Sequence, residues 1–189
     1  ATHFGVGSTP IPLAIGNLNG DGFADLAVTN TNGDNVSVLL GTGTGSFGAG
    51  TTFTTGSLPF SVAIGKLNGD SIADLAVADL ASDGVSVLLG SGSGGFGAAT
   101  DFAVESSPRS VAIGDLNGDG LSDLAVANSE SNRVSVLKGN GGGSFVASSS
   151  PAVGSGPYSV AIGNLNGDDF PDLAVANYLS NNVSVLLNS

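Results

Sequence analysis

Residues 110–145 read SVAIGDLNGDGLSDLAVANSESNRVSVLKGNGGGSF, and their punctuation decides the fold. Ser110–Gly114 (SVAIG) alternates β-branched with small residues and ends on glycine, the pattern of a short strand. An Asp/Asn/Gly turn follows, and Asp123–Ala127 (DLAVA) forms a second strand. Asn128–Asn132 is a polar turn before a third strand, Arg133–Lys138 (RVSVLK). A glycine-rich tip, Gly139–Ser144, leads into a fourth around Phe145–Pro151.

The same unit occurs four times. Its turn reads Asn-Leu-Asn-Gly-Asp-Gly at 17–22, Lys-Leu-Asn-Gly-Asp-Ser at 66–71, Asp-Leu-Asn-Gly-Asp-Gly at 115–120 and Asn-Leu-Asn-Gly-Asp-Asp at 164–169. The starts are 49 residues apart without insertion or deletion, so each repeat has the same backbone and meets its neighbour in the same way. Four short strands in a repeat of this length predict an all-β chain, a β-propeller of four four-stranded blades. A β-solenoid usually has a much shorter coil. The chain reads as one domain, 1–189, with repeat cores 10–55, 59–104, 108–153 and 157–189 plus 1–6. Residues 1–6 (ATHFGV) align with 99–104 (ATDFAV), a fourth strand, whereas the last repeat stops after its third. The N-terminal strand is therefore expected to close the last blade. The alternative is donation of that strand to a neighbouring copy, giving a dimer or a fibre.

Composition narrows the function. Four Lys+Arg against sixteen Asp+Glu give a net charge of −12, which leaves no basic footprint for nucleic acid and none for an anionic membrane surface. No apolar run is long enough to span a bilayer. Cysteine is absent, so disulfides, thiol catalysis and zinc–thiolate sites are excluded. With no methionine, the chain reads as a processed product or an excerpt of something longer.

The succession SVAIGDLNGDGLSDLAVAN…VSVLKGNGGGSF resembles the FG-GAP/VCBS repeat family over essentially the whole chain. The resemblance implies propeller blades like those of integrin α-subunit heads, secreted bacterial surface proteins and some fungal lectins, with calcium held in the turn between two strands. Family propellers commonly have about seven blades, and four is a departure.

The turns support the calcium expectation by their own chemistry. Counting from Asp115, side-chain oxygens fall at positions 1, 3, 5 and 9 (Asp115, Asn117, Asp119, Asp123), with glycine at 6 and the Leu121 carbonyl at 7. These are the first nine positions of an EF-hand loop, although position 12 is Val126 and a strand replaces the helix. Repeat one offers Asn17, Asn19, Asp21, Asp25 and the Phe23 carbonyl; repeat four offers Asn164, Asn166, Asp168, Asp172 and the Phe170 carbonyl. Repeat two keeps Asn68, Asp70 and Asp74 but carries Lys66 at position 1, where an ammonium would repel a divalent ion or stand in for it. The expected affinity order is three, then one and four, then two. The alternative is an empty Asx-turn, since Asp, Asn and Gly favour tight turns without metal.

Each repeat also opens on a Pro-x-Ser-Val-like segment whose second residue varies as Ile11, Phe60, Arg109 and Tyr158. If the innermost strands begin here, Phe60, Arg109 and Tyr158 could stack on and hydrogen-bond a sugar or peptide; drift at a tolerant position is the plainer reading. Asn35 and Asn182 fit the glycosylation sequon, although their place at the start of the third strand is more simply that of turn formers. His3 has no nucleophile nearby in sequence, and no catalytic constellation stands out. The sequence therefore predicts a non-enzymatic, extracellular or cell-surface module that is calcium-stabilised, with a protein or glycan ligand or copies of itself as partner. It reads as an adhesive or structural building block, or alternatively as a lectin.

Overall fold

A computed structural model describes residues 1–188. The described residues are all-β apart from one 3-10 turn at Thr31–Gly33. Each repeat folds into an antiparallel sheet with strands in sequence order. The first sheet is β1 (Pro10–Gly16), β2 (Asp25–Asn30), β3 (Asn35–Leu39) and β4 (Thr51–Thr54). The second is β5 (Pro59–Gly65), β6 (Asp74–Asp79), β7 (Gly84–Leu88) and β8 (Thr100–Ala103). The third is β9 (Pro108–Gly114), β10 (Asp123–Asn128), β11 (Arg133–Gly139) and β12 (Phe145–Ser149). The last has only β13 (Pro157–Gly163), β14 (Asp172–Asn177) and β15 (Asn182–Leu186). The predicted strands of repeat three thus form within a residue or two of their expected bounds.

The blades pack face to face through their inner strands, β1 on β5, β5 on β9 and β9 on β13. Small residues make this approach possible. A Cβ added at Gly16, Gly65 or Gly114 would lie 3.0, 2.9 or 3.1 Å from the side chain of Ile64, Ile113 or Ile162 on the next blade. Each interface then closes on Leu, Val and Ala, such as Leu67, Ala76 and Val85 of blade two against Val111, Leu124 and Val126 of blade three. Removing this apolar area from water supplies the main driving force for stacking the sheets.

Backbone ties fix the angle between blades. The residue before each opening proline lies in the left-handed region (Leu58 φ 54°, Ser107 φ 59°, Gly156 φ 64°). Its N–H donates to the turn residue of the preceding blade: Leu58 to Asp34 Oδ1 at 2.9 Å, Ser107 to Asp83 Oδ1 at 2.8 Å and Gly156 to Asn132 Oδ1 at 2.8 Å.

The expected closure of the last blade is not formed. Residues 1–6 adopt no strand and lie instead against blade one, where Phe4 meets Phe47 edge-on at 5.2 Å. Phe53 on Phe96 and Phe102 on Phe145 repeat that contact between successive blades. The segment therefore packs as the outer strand of a preceding blade would, while β15 keeps an open edge. β1 packs on β5 and β13 on β9, and the exposed Ile15 and Val183 show that blades one and four do not meet, so a strand held by blade one is not beside β15.

Candidate functional site: the aspartate loops and the opposite rim

The link from first to second strand and, in the three four-stranded blades, the link from third to fourth lie at the same edge, because the strands are antiparallel. The four aspartate loops and the glycine-rich tips thus share one rim. The opening prolines and the turns between second and third strands share the other.

Within the loops, side chains bind the backbone in a repeated pattern. Asp21, Asp70, Asp119 and Asp168 each accept, through Oδ1, the N–H two residues on, at 2.8 Å. Asn19, Asn68, Asn117 and Asn166 each accept the N–H of that aspartate at 2.9–3.2 Å. At position 1, Asn17 and Asn164 accept one N–H each, from Gly20 and Gly167. Asp115 does more, taking Gly118 N–H at 2.8 Å on one oxygen and Gly120 N–H at 2.8 Å on the other. Desolvation is the largest single influence and pushes the Asp115 carboxyl up, but the N–H donors of the turn together outweigh it and hold the group below the usual range.

The aspartate at position 9 has a different occupation. Asp25, Asp74, Asp123 and Asp172 are fully buried, and each clamps two backbone segments. Asp123 accepts Leu116 N–H at 3.0 Å and Gly139 N–H at 2.9 Å; Asp25 does the same with Leu18 and Gly41, both at 2.7 Å. Asp74 is committed likewise to Leu67 and Gly90, not to Lys66. Asp172 binds Leu165 and Asn188. Burial pushes Asp123 upward, and the charges of Asp119 and Asp115 add to it. The Asp119 and Asp115 charges thus bear on Asp123, although no group of three or more carboxylates or imidazoles converges on one point among the described residues.

The donor set suits a hard cation in part. Asp115, Asn117 and Asp119 are side-chain oxygen donors on one exposed turn, with the Leu121 carbonyl at the next expected position. Asp123 stands behind them as a structural clamp.

At the opposite rim the structure brings the three variable residues together. The Arg109 guanidinium lies 4.9 Å from the Phe60 ring centre and 5.0 Å from that of Tyr158, and the two rings meet edge-on at 5.8 Å. Arg109 Nε donates to Ser129 Oγ at 3.0 Å. Tyr178, from the last blade's second turn, extends the row at 6.1 Å from Tyr158. Ile11, on the first blade, is half exposed and takes no part in these ring contacts. Of the sequon asparagines, Asn35 donates to Gly33 O at 2.5 Å and is half-buried, whereas Asn182 is exposed.

One polar constellation is not evident from motif reading. Asp79 is buried at the end of β6, with Ser86 Oγ 2.7 Å away, and the same hydroxyl lies 2.7 Å from Asp101 on β8. The available signal was that Asp79 stands where the other repeats have Asn30, Asn128 and Asn177.

The profile of the FG-GAP-like repeat matches residues 17–77, 66–126 and 115–175. No curated protein sequence matches the chain. Among solved structures, the BBS1N chain of a complex with ARL6DN aligns with TM-score 0.62 at 15% identity, covering 97% of this chain and 57% of that one. The V. cholerae biofilm matrix protein Bap1 aligns with TM-score 0.60 at 20% identity, over 92% of this chain and 26% of that one. A streptogramin B lyase gives 0.60 at 16% identity, over 96% and 55%. This chain spans 57% or less of each, and the likeness is one of β-propeller-like fold.

Proposed function

Because the chain belongs to the FG-GAP-like repeat family, we propose that it is a calcium-stabilised building and adhesion module of an extracellular or cell-surface structure, with no catalytic step of its own. The observation that carries the reading is the acidic rim. Four equivalent loops gather ten of the sixteen acids along one edge, and in loop three the Asp115 and Asp119 charges bear on buried Asp123. Calcium would be held by Asp115, Asn117, Asp119 and the Leu121 carbonyl, neutralising that repulsion. Asn17, Asn19, Asp21 and Phe23, and Asn164, Asn166, Asp168 and Phe170, offer weaker versions. Lys66 leaves the second loop weakest. The structural likeness to a biofilm matrix protein supports the architectural part of the reading.

Calcium titration calorimetry, with melting curves in calcium and in chelator, tests the proposal. Chelator should lower the melting temperature, because an ion bound only by the native state stabilises it by mass action. Asp119→Ala should remove more of that response than Asp70→Ala. Equal responses, or none, would refute it.

A second reading, a glycan-binding module, is favoured by the Phe60–Arg109–Tyr158–Tyr178 row. Arg109 already spends its faces on two rings, which leaves Tyr158 and Tyr178 as the exposed platforms. A glycan array discriminates: binding to one sugar class that is lost in Tyr158→Ala would favour this reading.

A further inference from the structure

The two ends of the arc expose the two halves of the interface that is formed three times inside it. On the last blade Val183 is 63% exposed, whereas its counterparts Val36, Val85 and Val134 are all 0%. Leu165 is 53% exposed, against 1% for Leu18 and Leu67. On the first blade Leu13 is 52% exposed, whereas Val62, Val111 and Val160, at the same position, are buried. Ile15, whose counterparts seat over a glycine of the blade before, is bare, and Gly163, whose counterparts receive that isoleucine, has nothing within 4 Å.

The polar ties are matched in the same way. Asn181 occupies the position of Asp34, Asp83 and Asn132, which accept an N–H from the following blade. Thr9 occupies the position of the donors and shares their left-handed backbone (φ 54°). Finally, β15 lacks the outer strand that residues 1–6 represent.

We infer that the forward face of blade four binds the backward face of blade one of a second copy, head to tail. The occupant follows from continuity: blade one presents what blades two, three and four present to their predecessors. Residues 1–6, held on blade one by the Phe4–Phe47 contact, would enter with it as the fourth strand beside β15. The pairing of Val85 with Phe102 and of Ser86 with Asp101, shifted by two repeats, sets the register. Val183 then faces Phe4, and Ser184 faces His3. Thr9 N–H reaches Asn181 Oδ1, and Ile15 covers Gly163. Such a contact is heterologous, so it closes into a ring or continues as a filament. The inference rests on the building-module reading and names its partner.

The experiment uses the full chain and two single-face variants, Val183→Asp and Ile15→Asp. Both sites are exposed in the monomer, so each variant should keep the wild-type circular dichroism spectrum. Light scattering with size exclusion should give the wild type a mass at least twice the 18.2 kDa of one chain, rising with concentration. Each variant alone should fall to a single chain. Mixed in equal amounts they should form a 1:1 dimer and nothing larger, because one retains the forward face and the other the backward face. Dimers of either variant alone would mean face-to-same-face association and overturn the inference. A wild type that stays a single chain at all concentrations overturns it too and leaves the end faces to other blades. Melting in chelator, read on the same samples, separates the two ideas: a monomer still stabilised by calcium sinks only this inference.

Discussion

Replacing Asp79 with asparagine should stabilise the protein at neutral pH and abolish one component of its pH dependence. In three repeats the equivalent residue is an asparagine whose Nδ2 donates to a serine hydroxyl: Asn30 to Ser37, Asn128 to Ser135 and Asn177 to Ser184, at 2.8–2.9 Å. Asp79 has no such donor. Its partner, Ser86 Oγ, accepts Gly56 N–H at 2.9 Å and stands 2.7 Å from both Asp79 and Asp101. A hydroxyl carries one proton, so it cannot donate to two carboxylates together. The carboxylate left without that donor gains by holding a proton, and Asp79 is the buried one. Burial first, and then the Asp101 charge, push it up to about 7, against partial relief from the Ser86 hydroxyl and amide.

The sign follows from linkage. With a folded value near 7 and an unfolded one near 3.8, the native state binds the extra proton across that window. The contribution of Asp79 is full below about pH 4, declines as pH rises, and is flat above about pH 8. A shift of about three units corresponds to about 4 kcal/mol, an upper value because the site can relax when charged. Asp79→Asn restores the amide donor, removes the charge and should regain about 2–4 kcal/mol at pH 8, or roughly 5–15 °C in Tm for a domain of this size. Urea unfolding of both proteins at intervals from pH 4 to 8 is the assay, read as the difference between the two curves. The loop carboxylates titrate alike in both and cancel. Parallel curves, or a variant less stable at pH 8, would refute the shared-proton account.

Three further outcomes follow from the geometry. Ser107→Gly should raise stability by roughly 0.5–1 kcal/mol, since the left-handed backbone there penalises a Cβ, the bonds it makes use main-chain atoms, and Gly156 already fills that position in the last repeat; differential scanning calorimetry reads the gain. Asp123→Ala should cost about 3–5 kcal/mol by orphaning the buried N–H groups of Leu116 and Gly139, against under about 1 kcal/mol for exposed Asp119→Ala in chelator, both measured by urea unfolding. Lys66→Asp should add or tighten one calcium site by titration, and an unchanged isotherm would assign the weakness of that loop to Ser71 or to local packing instead.

Most of the blade was legible because period-2 alternation, turn residues and an invariant spacing all pointed to the same place. The three internal strands of each repeat needed nothing else. The role of position 9 was only half legible. Its offset from position 1 matches a metal ligand, but Asp25, Asp74, Asp123 and Asp172 each open an apolar strand, and a residue there faces inward. Once buried, a carboxylate needs N–H donors, and the turn supplies two. The arrangement at Phe60, Arg109 and Tyr158 required knowing that successive inner strands begin at one rim, which the constant repeat length gave once the blades were stacked.

Ring closure was the part that sequence could not carry, for a reason that bears on function. The alignment of residues 1–6 with an outer strand is correct as packing, because Phe4 does for Phe47 what Phe53 does for Phe96. It is silent on the rotation between blades, which is set by side-chain volume at the interface and by the bonds from Asp34, Asp83 and Asn132. That rotation determines whether four blades meet or leave a gap. With the same glycine–isoleucine seat and the same backbone tie at each step, an arc that does not close internally leaves two end faces that carry the two halves of that contact. A chain built this way has its assembly rule written into its internal contacts: the same glycine–isoleucine seat and the same left-handed donor at all three, and the same aromatic edge at the first two. Tightening the interface inside the molecule therefore tightens the contact between molecules, and the stability of one blade pair and the affinity of one copy for the next should vary together.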